Sequence, residues 1–373
     1  MFAQESQSWA DEHLDFRGYV KYLNTTKFED LKFTLNDNLI HNRLQLKAYI
    51  SNHVTFDIEV RNRVFWGNSL ALIPYYADYI NASEDRINLG GYLVEEPGFL
   101  VHSLIDRLYV DFHTDQWQIT LGRQRINWGK NLVWNTNDLF NAYSFFDFDY
   151  EERPGTDALR VQYFTSGDSS IEIAGSYTKN WQASTYAVRY NFNRFNYDFQ
   201  VLAGQCIDDY VIGTGWEGYI KNIGFKGELS YFTPVTKDDS GNDVFTGSVS
   251  LDYYFKNGWS LNVGTLYNSN SQTDPISFAL LQNTTTALSP KHLMPNQWSF
   301  FAQTSKAFTP ALQGSLSAMY ANEVDALLLM PQISYSVAQN WDFDTVAQVV
   351  YMEQHEEFKN LINAVFLRLR YSF

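Results

Sequence analysis

The chain has 373 residues, of which 17% are aromatic and 18% are charged, a balance rich in aromatics and poor in charge for a soluble domain. Its net charge of −15 argues against general nucleic-acid binding, because the phosphates would be repelled. The sequence has no apolar run of about 18 residues, which excludes a membrane-spanning helix. The single cysteine, Cys206, permits no internal disulfide. No linker-like stretch divides the chain, so one large sheet is the simplest account.

Alternating apolar and polar residues begin at Leu14 and recur along the chain. Side chains in a strand alternate between two faces, and residues 14–22, 40–50 and 54–64 each show one apolar and one polar face. The same pattern predicts strands at 100–113, 116–126, 157–165, 170–178, 184–193, 197–206, 210–221, 223–233, 244–256, 258–268, 296–308, 311–321, 325–338, 341–353 and 359–373. We therefore predict about 18 strands, with 16 as the alternative, each near the length that a tilted membrane strand needs.

The last strand is the most informative of the series. Its apolar face consists of Val365, Leu367, Leu369, Tyr371 and Phe373, and two arginines lie on the other face. In water such a terminal strand, with an apolar face and a free edge, would aggregate. In a membrane, lipid covers the face and a closed barrel pairs the edge. We predict an all-β, transmembrane, antiparallel up-and-down barrel, in which Tyr371 and Phe373 resemble the signal that the barrel-assembly machinery reads.

The links between the predicted strands alternate between long and short. The long links 23–38, 67–99 and 127–156 are separated by short turns such as Ser51-Asn52. Outer-membrane barrels place long loops outside and short turns in the periplasm, whereas a soluble β-sandwich has no reason for this sorting. With an even strand number both termini lie in the periplasm of a Gram-negative bacterium. We expect residues 1–11 to form a periplasmic extension, with Phe2-Ala3-Gln4 like the end of a signal peptide, and residues 12–373 to form one barrel.

The predicted lumen face carries a row of basic residues. These are Arg17, Arg43, Arg61, Arg63, Arg107, Arg160, Arg368 and Arg370, with the acidic residues Asp15, Asp57, Glu59 and Asp111 among them. A basic wall inside a pore steers anions along it. The alternative is a lattice of ion pairs that stiffens the barrel and leaves little field. Glu172, Glu217, Glu228 and Asp252 are expected to make the opposite wall acidic or polar.

The link 127–156 differs from the other loops. Alternation fails after Gly122, which indicates a bulge or an inward bend. The link carries many aromatic residues, among them Trp128, Trp134, Tyr143, Phe145, Phe146 and Phe148. This is too much apolar surface for a loop in water, so we predict that the link folds into the barrel or against a partner.

This region also resembles outer-membrane porin-like and alginate-export-type barrels, a group that includes uncharacterised families. The resemblance is carried by Gly122-Arg123-Gln124, Trp128-Gly129 and Pro154-Gly155, together with the terminal Phe373. Lys130 departs from the glutamate expected after the Trp-Gly pair. The resemblance implies a loop that narrows the pore, with Arg123 and Arg125 contacting its acidic end. The constriction residues would be Arg123, Arg125, Trp128, Lys130, Asp147, Asp149, Glu151, Glu152 and Arg153.

The sequence gives little support for metal or catalytic chemistry, and we predict no cofactor. The candidate calcium ligands are Asp147 and Asp149, or Asp238, Asp239 and Asp243, with salt bridges and a plain turn as the alternatives. The seven histidines show no metal or nucleophile spacing. His102 and Ser103 are adjacent, so they face opposite sides of a strand and form no catalytic dyad.

Three functions agree with these patterns. The first is a channel for small hydrophilic solutes, which would be anions if the basic wall selects them. The second is an exporter of an anionic polysaccharide, and the third is a non-conducting subunit of an outer-membrane assembly that uses loops 67–99 and 268–295 for docking. The expected partners are lipid, lipopolysaccharide and the barrel-assembly machinery.

Overall fold

The computed structural model describes residues 9–29, 33–73, 75–81, 85–142, 153, 155–165, 167–179, 184–236, 242–271, 289–354 and 357–373. The strands are β1 Leu14–Glu29, β2 Phe33–Ser51, β3 Val54–Gly67, β4 Gly90–Glu96, β5 Phe99–His113, β6 Trp117–Gln124, β7 Thr156–Phe164, β8 Ser170–Ser176, β9 Thr185–Arg194, β10 Tyr197–Cys206, β11 Asp209–Ile220, β12 Ile223–Pro234, β13 Val244–Tyr254, β14 Trp259–Asn268, β15 Trp298–Thr309, β16 Leu312–Ala321, β17 Ala326–Ala338, β18 Trp341–Gln354 and β19 Glu357–Ser372. Within these ranges the chain also forms three short helices, α1 Trp9–His13, α2 Asn68–Leu72 and α3 Tyr76–Ile80.

Eighteen strands close into an antiparallel ring, which confirms the predicted fold. Each strand pairs with its neighbour in the chain, except that β3 pairs with β5 and β4 joins the edge of β5 beyond the end of β6. The ring closes where β1 pairs with β19, from Tyr19 opposite Ser372 to Phe28 opposite Asn363. Phe373 adds two backbone hydrogen bonds of 2.9 Å to Gly18. The sheet therefore leaves no free edge between the first and last strands.

The strand positions follow the sequence pattern, but their lengths vary around the barrel. β1, β2, β3 and β19 have 14 to 19 residues, whereas β6, β7 and β8 have seven to nine. The wall is therefore tall on one side and low on the other, because height follows strand length at similar tilt.

Side chains sort by face as a membrane barrel requires. Phe16, Leu121 and Ile212 are outward and 57 to 62% exposed, whereas the intervening positions are mostly buried on the inside. Aromatic pairs mark both ends of this apolar band. Trp117 with Tyr163 and Trp341 with Tyr371 lie at the short-turn end, and Tyr22 with Trp66 and Tyr267 with Trp298 lie at the long-link end. Such girdles mark the two interfaces of a bilayer.

The link 67–99 contains structure that alternation did not predict, namely α2, α3 and β4. Asn81, just after α3, shares a hydrogen bond of 3.0 Å with His102 on the lumen face of β5, and the Tyr92 hydroxyl donates to the Ala77 carbonyl. The link therefore folds over the long-link end of the lumen. None of the helices in the described ranges has the length and apolar content needed to cross a bilayer.

Candidate functional site: the lumen and its inner loop

The arginines of the predicted basic wall are held by carboxylates. Arg43 and Arg61 contact the two oxygens of Asp106 at 2.5 and 3.0 Å, and Arg43 also pairs with Glu59. Arg43, Arg61 and Asp106 are each at most 5% exposed. A buried carboxylate shared by two guanidinium groups fixes both arginines, since removal of either would leave a buried charge poorly compensated. This part of the wall has the ion-pair lattice that was the alternative to a free basic row.

Asp106 reaches this position because β5 contains a bulge. Ile105 lies opposite Val60 and Arg107 lies opposite Glu59, so Asp106 is the extra residue. Asp106 and Arg107 are then both buried on the lumen side. Simple alternation places adjacent residues on opposite faces, and for this reason it missed Asp106.

The other wall arginines have contacts of three kinds. Arg160 and Arg189 both pair with the buried Glu172, at 2.6 and 2.5 Å. Arg368 contacts Asp344 at 3.0 Å and Arg370 contacts Asp342 at 3.3 Å. Arg63 bonds to His102 and to the Ile80 carbonyl, whereas Arg17 is 72% exposed near the rim and pairs with Asp15 of its own strand.

The predicted acidic residues of the opposite wall, Glu172, Glu217, Glu228 and Asp252, lie on β8, β11, β12 and β13. Beyond them, the half of the lumen face nearer the long links is apolar on β15 to β18. The lumen face of β15 to β18 carries Phe301, Met319, Leu328, Met330, Val346, Val350 and Met352, all buried in one apolar cluster. Trp134 and Met294 from two loops pack into the same cluster. The chain therefore builds an apolar core inside the barrel, and alternation alone cannot distinguish such a core from a polar lumen.

The segment 125–142, called the inner loop below, extends from this apolar cluster across the lumen face of β8 to β13. The Trp128 indole N–H donates to Glu172 at 2.8 Å, and the Arg189 guanidinium lies 5.1 Å from the centre of the Trp128 ring. Asn131 exchanges hydrogen bonds with Ser248 and Ser250 at 2.7 and 2.6 Å. These partners belong to β8, β9 and β13, so the loop is anchored across a broad part of the inner wall.

Glu228 is the central anchor of the inner loop. One of its oxygens accepts the backbone N–H groups of Lys130 and Asn131, at 2.5 and 3.0 Å, and the other accepts that of Asn137 at 2.8 Å. The side chain is 0% exposed. A carboxylate that accepts several N–H groups out of water gains strong, charge-assisted hydrogen bonds. Nothing in the sequence indicates this role, since Glu228 is one of many acidic residues predicted to point inward.

Two charged side chains of the inner loop have shifted pKa values. Burial raises the pKa of Asp138 to about 7, although Arg153 at 3.5 Å opposes the rise. Burial also lowers the pKa of Lys130, against the attraction of Glu217. The inner loop therefore carries a carboxyl group that titrates near neutral pH.

Arg123 and Arg125 were predicted to contact Asp147, Asp149, Glu151 and Glu152. These four acidic residues lie outside the described residues. In the described ranges, Arg123 pairs with Asp157 at 2.8 Å and with Asp85 at 3.4 Å. Gly122, just before it, has φ +121°, which agrees with the irregular backbone expected at this point. Arg125 is exposed and forms no ion pair with any described residue.

A cavity of about 540 Å³ lies at the short-turn end of the lumen, next to Arg125. Its lining includes the cationic side chains Lys47, Arg107, Arg125 and Arg160, against the carboxylates Glu12 and Asp111. The pocket also presents tyrosine, serine, threonine and glutamine groups. This arrangement gives a water-accessible vestibule with an excess of positive charge.

The metal candidates gain no support from the described part of the chain. No group of three or more His, Cys, Asp or Glu side chains there is placed to hold a metal ion. Asp243 accepts hydrogen bonds from Tyr231 and Thr233 at 2.7 and 2.6 Å. Asp147, Asp149, Asp238 and Asp239 lie outside the described residues. His102 faces the lumen and Ser103 bonds to Asn62, so their separation agrees with the geometry expected from adjacency.

The sequence matches no family model and no curated protein. Solved structures do share its fold. OccAB4 of Acinetobacter baumannii is 9% identical with a TM-score of 0.61, over 97% of this chain and 98% of that one. The outer membrane protein OpdK of Pseudomonas aeruginosa is 11% identical with a TM-score of 0.59, over 96% and 98%, and OccD3 (OpdP) of the same species is 11% identical with a TM-score of 0.60, over 97% and 91%. These structures confirm the porin-like barrel fold and leave the alginate-export-type resemblance unsupported.

Proposed function

We propose that the protein is an outer-membrane channel through which small hydrophilic solutes pass, in a lumen narrowed by the inner loop. The observation that carries this proposal is the sorting of side chains, with apolar residues outside and charged residues along much of the inside. A closed barrel with this sorting is stable only where hydrocarbon surrounds it. Its fold is that of OpdK, which is an outer membrane protein.

The proposed orientation places the short turns and both termini in the periplasm. The described turns between β2 and β3 and between β5 and β6 lie at the same end as α1, and such barrels have short periplasmic turns. Residues 1–11 then form a periplasmic extension. The vestibule opens toward the periplasm, and the 67–99 link faces the outside of the cell.

The proposed path runs between the inner loop and the basic wall. The inner loop covers the lumen face of β8 to β13, which leaves the side of β1, β2, β3, β5 and β19 for solutes. Lys21, Arg43 and Arg61 on that side are nearly fully buried, so packed side chains leave almost no open space beside them at mid-height. A narrow passage beside fixed arginines favours small solutes and, among these, anions. OpdK has been crystallised with vanillate, a small carboxylate.

Conductance across a planar lipid bilayer tests the proposal. The purified protein should insert and give discrete single-channel steps, and a salt gradient should give a reversal potential on the anion-selective side. Heat-unfolded protein at the same concentration is the control. If the folded protein gives no steps over the full range of voltage and pH, the channel proposal fails and a non-conducting subunit becomes the better account.

Export of an anionic polysaccharide gains no comparable support. A polymer needs a wide, continuous row of accessible cations, whereas Arg43, Arg61, Arg160 and Arg368 are tied to Asp106, Glu172 and Asp344. The loops 67–99 and 268–295 remain proposed docking surfaces for other outer-membrane proteins. Lipid, lipopolysaccharide and the barrel-assembly machinery remain proposed partners.

A further inference from the structure

A row of polar side chains crosses the outer, lipid-facing surface of the tall wall. Asn42, Asn62 and Ser103 lie side by side on the neighbouring strands β2, β3 and β5, and the row ends at Gly91 of β4, opposite Ser103. Their face is the outer one, because Asn42 is also opposite Val20 of β1, which is 41% exposed beside the outward Phe16 and Tyr22. The residues that alternate with the row, such as His102, are buried on the lumen side.

The row lies within the apolar band. Asn62 is four positions along β3 from Trp66, whose ring stacks on Tyr22 in the girdle at the long-link end. At a rise of about 3.3 Å per residue and a tilt of about 40°, four residues correspond to about 10 Å of depth. The outward neighbours Ile40 and Val20 are apolar. The amides are therefore well below the interface, where lipid tails offer no hydrogen bonds.

The hydrogen bonds within the row do not use all of its polar groups. The Ser103 hydroxyl donates to Asn62 at 2.8 Å, Asn62 donates to Asn42 at 3.2 Å, and Asn42 donates to the Tyr19 carbonyl at 3.0 Å. Each amide has two N–H groups, so Asn42 and Asn62 each keep one that has no acceptor among the described residues. An unsatisfied N–H in hydrocarbon costs several kcal/mol, and this cost calls for an occupant with polar groups.

We propose that this row is the centre of an interface with a second copy of the chain in the membrane. An amide is both a donor and an acceptor, so the row complements itself about a two-fold axis, where the same patch serves both subunits. Polar side chains surrounded by apolar ones hold membrane segments together in the same way. Gly91 at the end of the row has no atom within 4 Å of the place where a Cβ would lie, so a neighbouring wall can approach closely.

Native mass spectrometry of the full chain in phospholipid nanodiscs without lipopolysaccharide tests the interface. The parent protein should be a dimer, and the variant Asn42→Val, Asn62→Val, Ser103→Val should be a monomer, with a dissociation constant raised at least about tenfold. Thr345→Val is the matched control, since Thr345 is a lipid-facing polar residue on β18, opposite the exposed Ile333, and it should leave the dimer intact. The triple variant should keep its β-sheet circular dichroism, because valine suits a lipid-facing strand.

A second measurement does not depend on how the triple variant folds. With the single change Asn62→Cys, mild oxidation should link two chains through a disulfide between their residues 62. The native Cys206 is buried and only 3% exposed, so it should not form this link. A parent protein that is monomeric without lipopolysaccharide, or a triple variant that dimerises like the parent, overturns the proposal. Stoichiometric lipopolysaccharide on a monomer, lost in the triple variant, would assign the row to lipid instead. Single-channel conductance is measured separately, so loss of the dimer and loss of the channel are distinguishable.

Discussion

Glu228 is the residue on which the position of the inner loop depends most. Glu228→Gln keeps the size of the side chain but replaces one acceptor oxygen with an amide donor, which would face backbone N–H groups of Lys130, Asn131 or Asn137. We expect a loss of about 1 to 3 kcal/mol in the free energy of unfolding, measured by denaturant titration, and noisier single-channel currents. Glu217→Gln is the control, because Glu217 is 40% exposed, and it should change stability little. Equal effects of the two variants would contradict the anchoring role.

Asp138 should make the attachment of the inner loop depend on pH. Its pKa is raised from 3.8 to about 7 by burial, so its ionised form is disfavoured in the folded protein. The contribution of Asp138 to the free energy of unfolding is therefore most favourable below about pH 4. It decreases as the pH rises and reaches its lower limit above about pH 7. Asp138→Asn should flatten this dependence in denaturant titrations between pH 5 and 8. A parent protein that is equally stable across this range would count against the assignment.

Arg125 of the inner loop is the cationic residue best suited to test selectivity. It is exposed in the vestibule and forms no ion pair with described residues. Arg125→Gln therefore removes a positive charge without taking an ion-pair partner from any described carboxylate. We expect the anion-to-cation permeability ratio, measured from the reversal potential, to fall about twofold. Arg17→Gln removes the same charge from the rim, where Arg17 is 72% exposed and paired with Asp15, and should change the ratio much less.

At the scale of single elements, Gly122 carries the irregular backbone near the end of β6. A Cβ at this position would lie 2.2 Å from the Leu108 carbonyl oxygen, and φ is +121°. Gly122→Ala should therefore destabilise the barrel by more than about 2 kcal/mol, because strain and a backbone clash add. Gly98→Ala isolates the strain, since Gly98 has φ +78° with no atom within 4 Å, and should cost about 1 kcal/mol. Denaturant unfolding of both variants measures the difference.

The sequence predicted the strands well and the interior poorly. Alternation located β5 to β19 within about two residues, because each strand has lipid on one face for most of its length. It missed β4, which contains two glycines and two glutamates among its seven residues and shifts register between Tyr92 and Val94. It also missed the bulge at Asp106, which breaks the period of two. The apolar cluster around Met319 and Met330 was also invisible. A loop that fills the lumen makes inward positions apolar, and only the folded chain shows which positions these are.

At the scale of the whole molecule, Phe373 extends the seam between β1 and β19 that closes the ring. The Phe373 backbone exchanges two hydrogen bonds with Gly18, and its ring lies 6.1 Å from that of Phe16. Deleting Phe373 should remove both bonds and lower the yield of folded barrel in the outer membrane several-fold, as judged by the gel-mobility shift between unheated and heated protein. Phe373→Ala keeps both backbone hydrogen bonds. It should therefore lower the yield of folded barrel less than the deletion does, if these bonds matter more than the aromatic ring. An equal loss in both variants would indicate that the aromatic ring itself acts as the assembly signal.

The unequal strand lengths have a consequence for the cell surface. A strand of 19 residues with a tilt of about 40° rises roughly 20 Å or more beyond an apolar band of about 25 Å, whereas one of eight residues rises only about 20 Å and stays within the band. In the proposed orientation, β1, β2, β3 and β19 project beyond the outer surface of the membrane, while β6, β7 and β8 end near it. Antibodies and phage tail fibres, which are too large to enter the pore, would then meet the protein mainly on its high side.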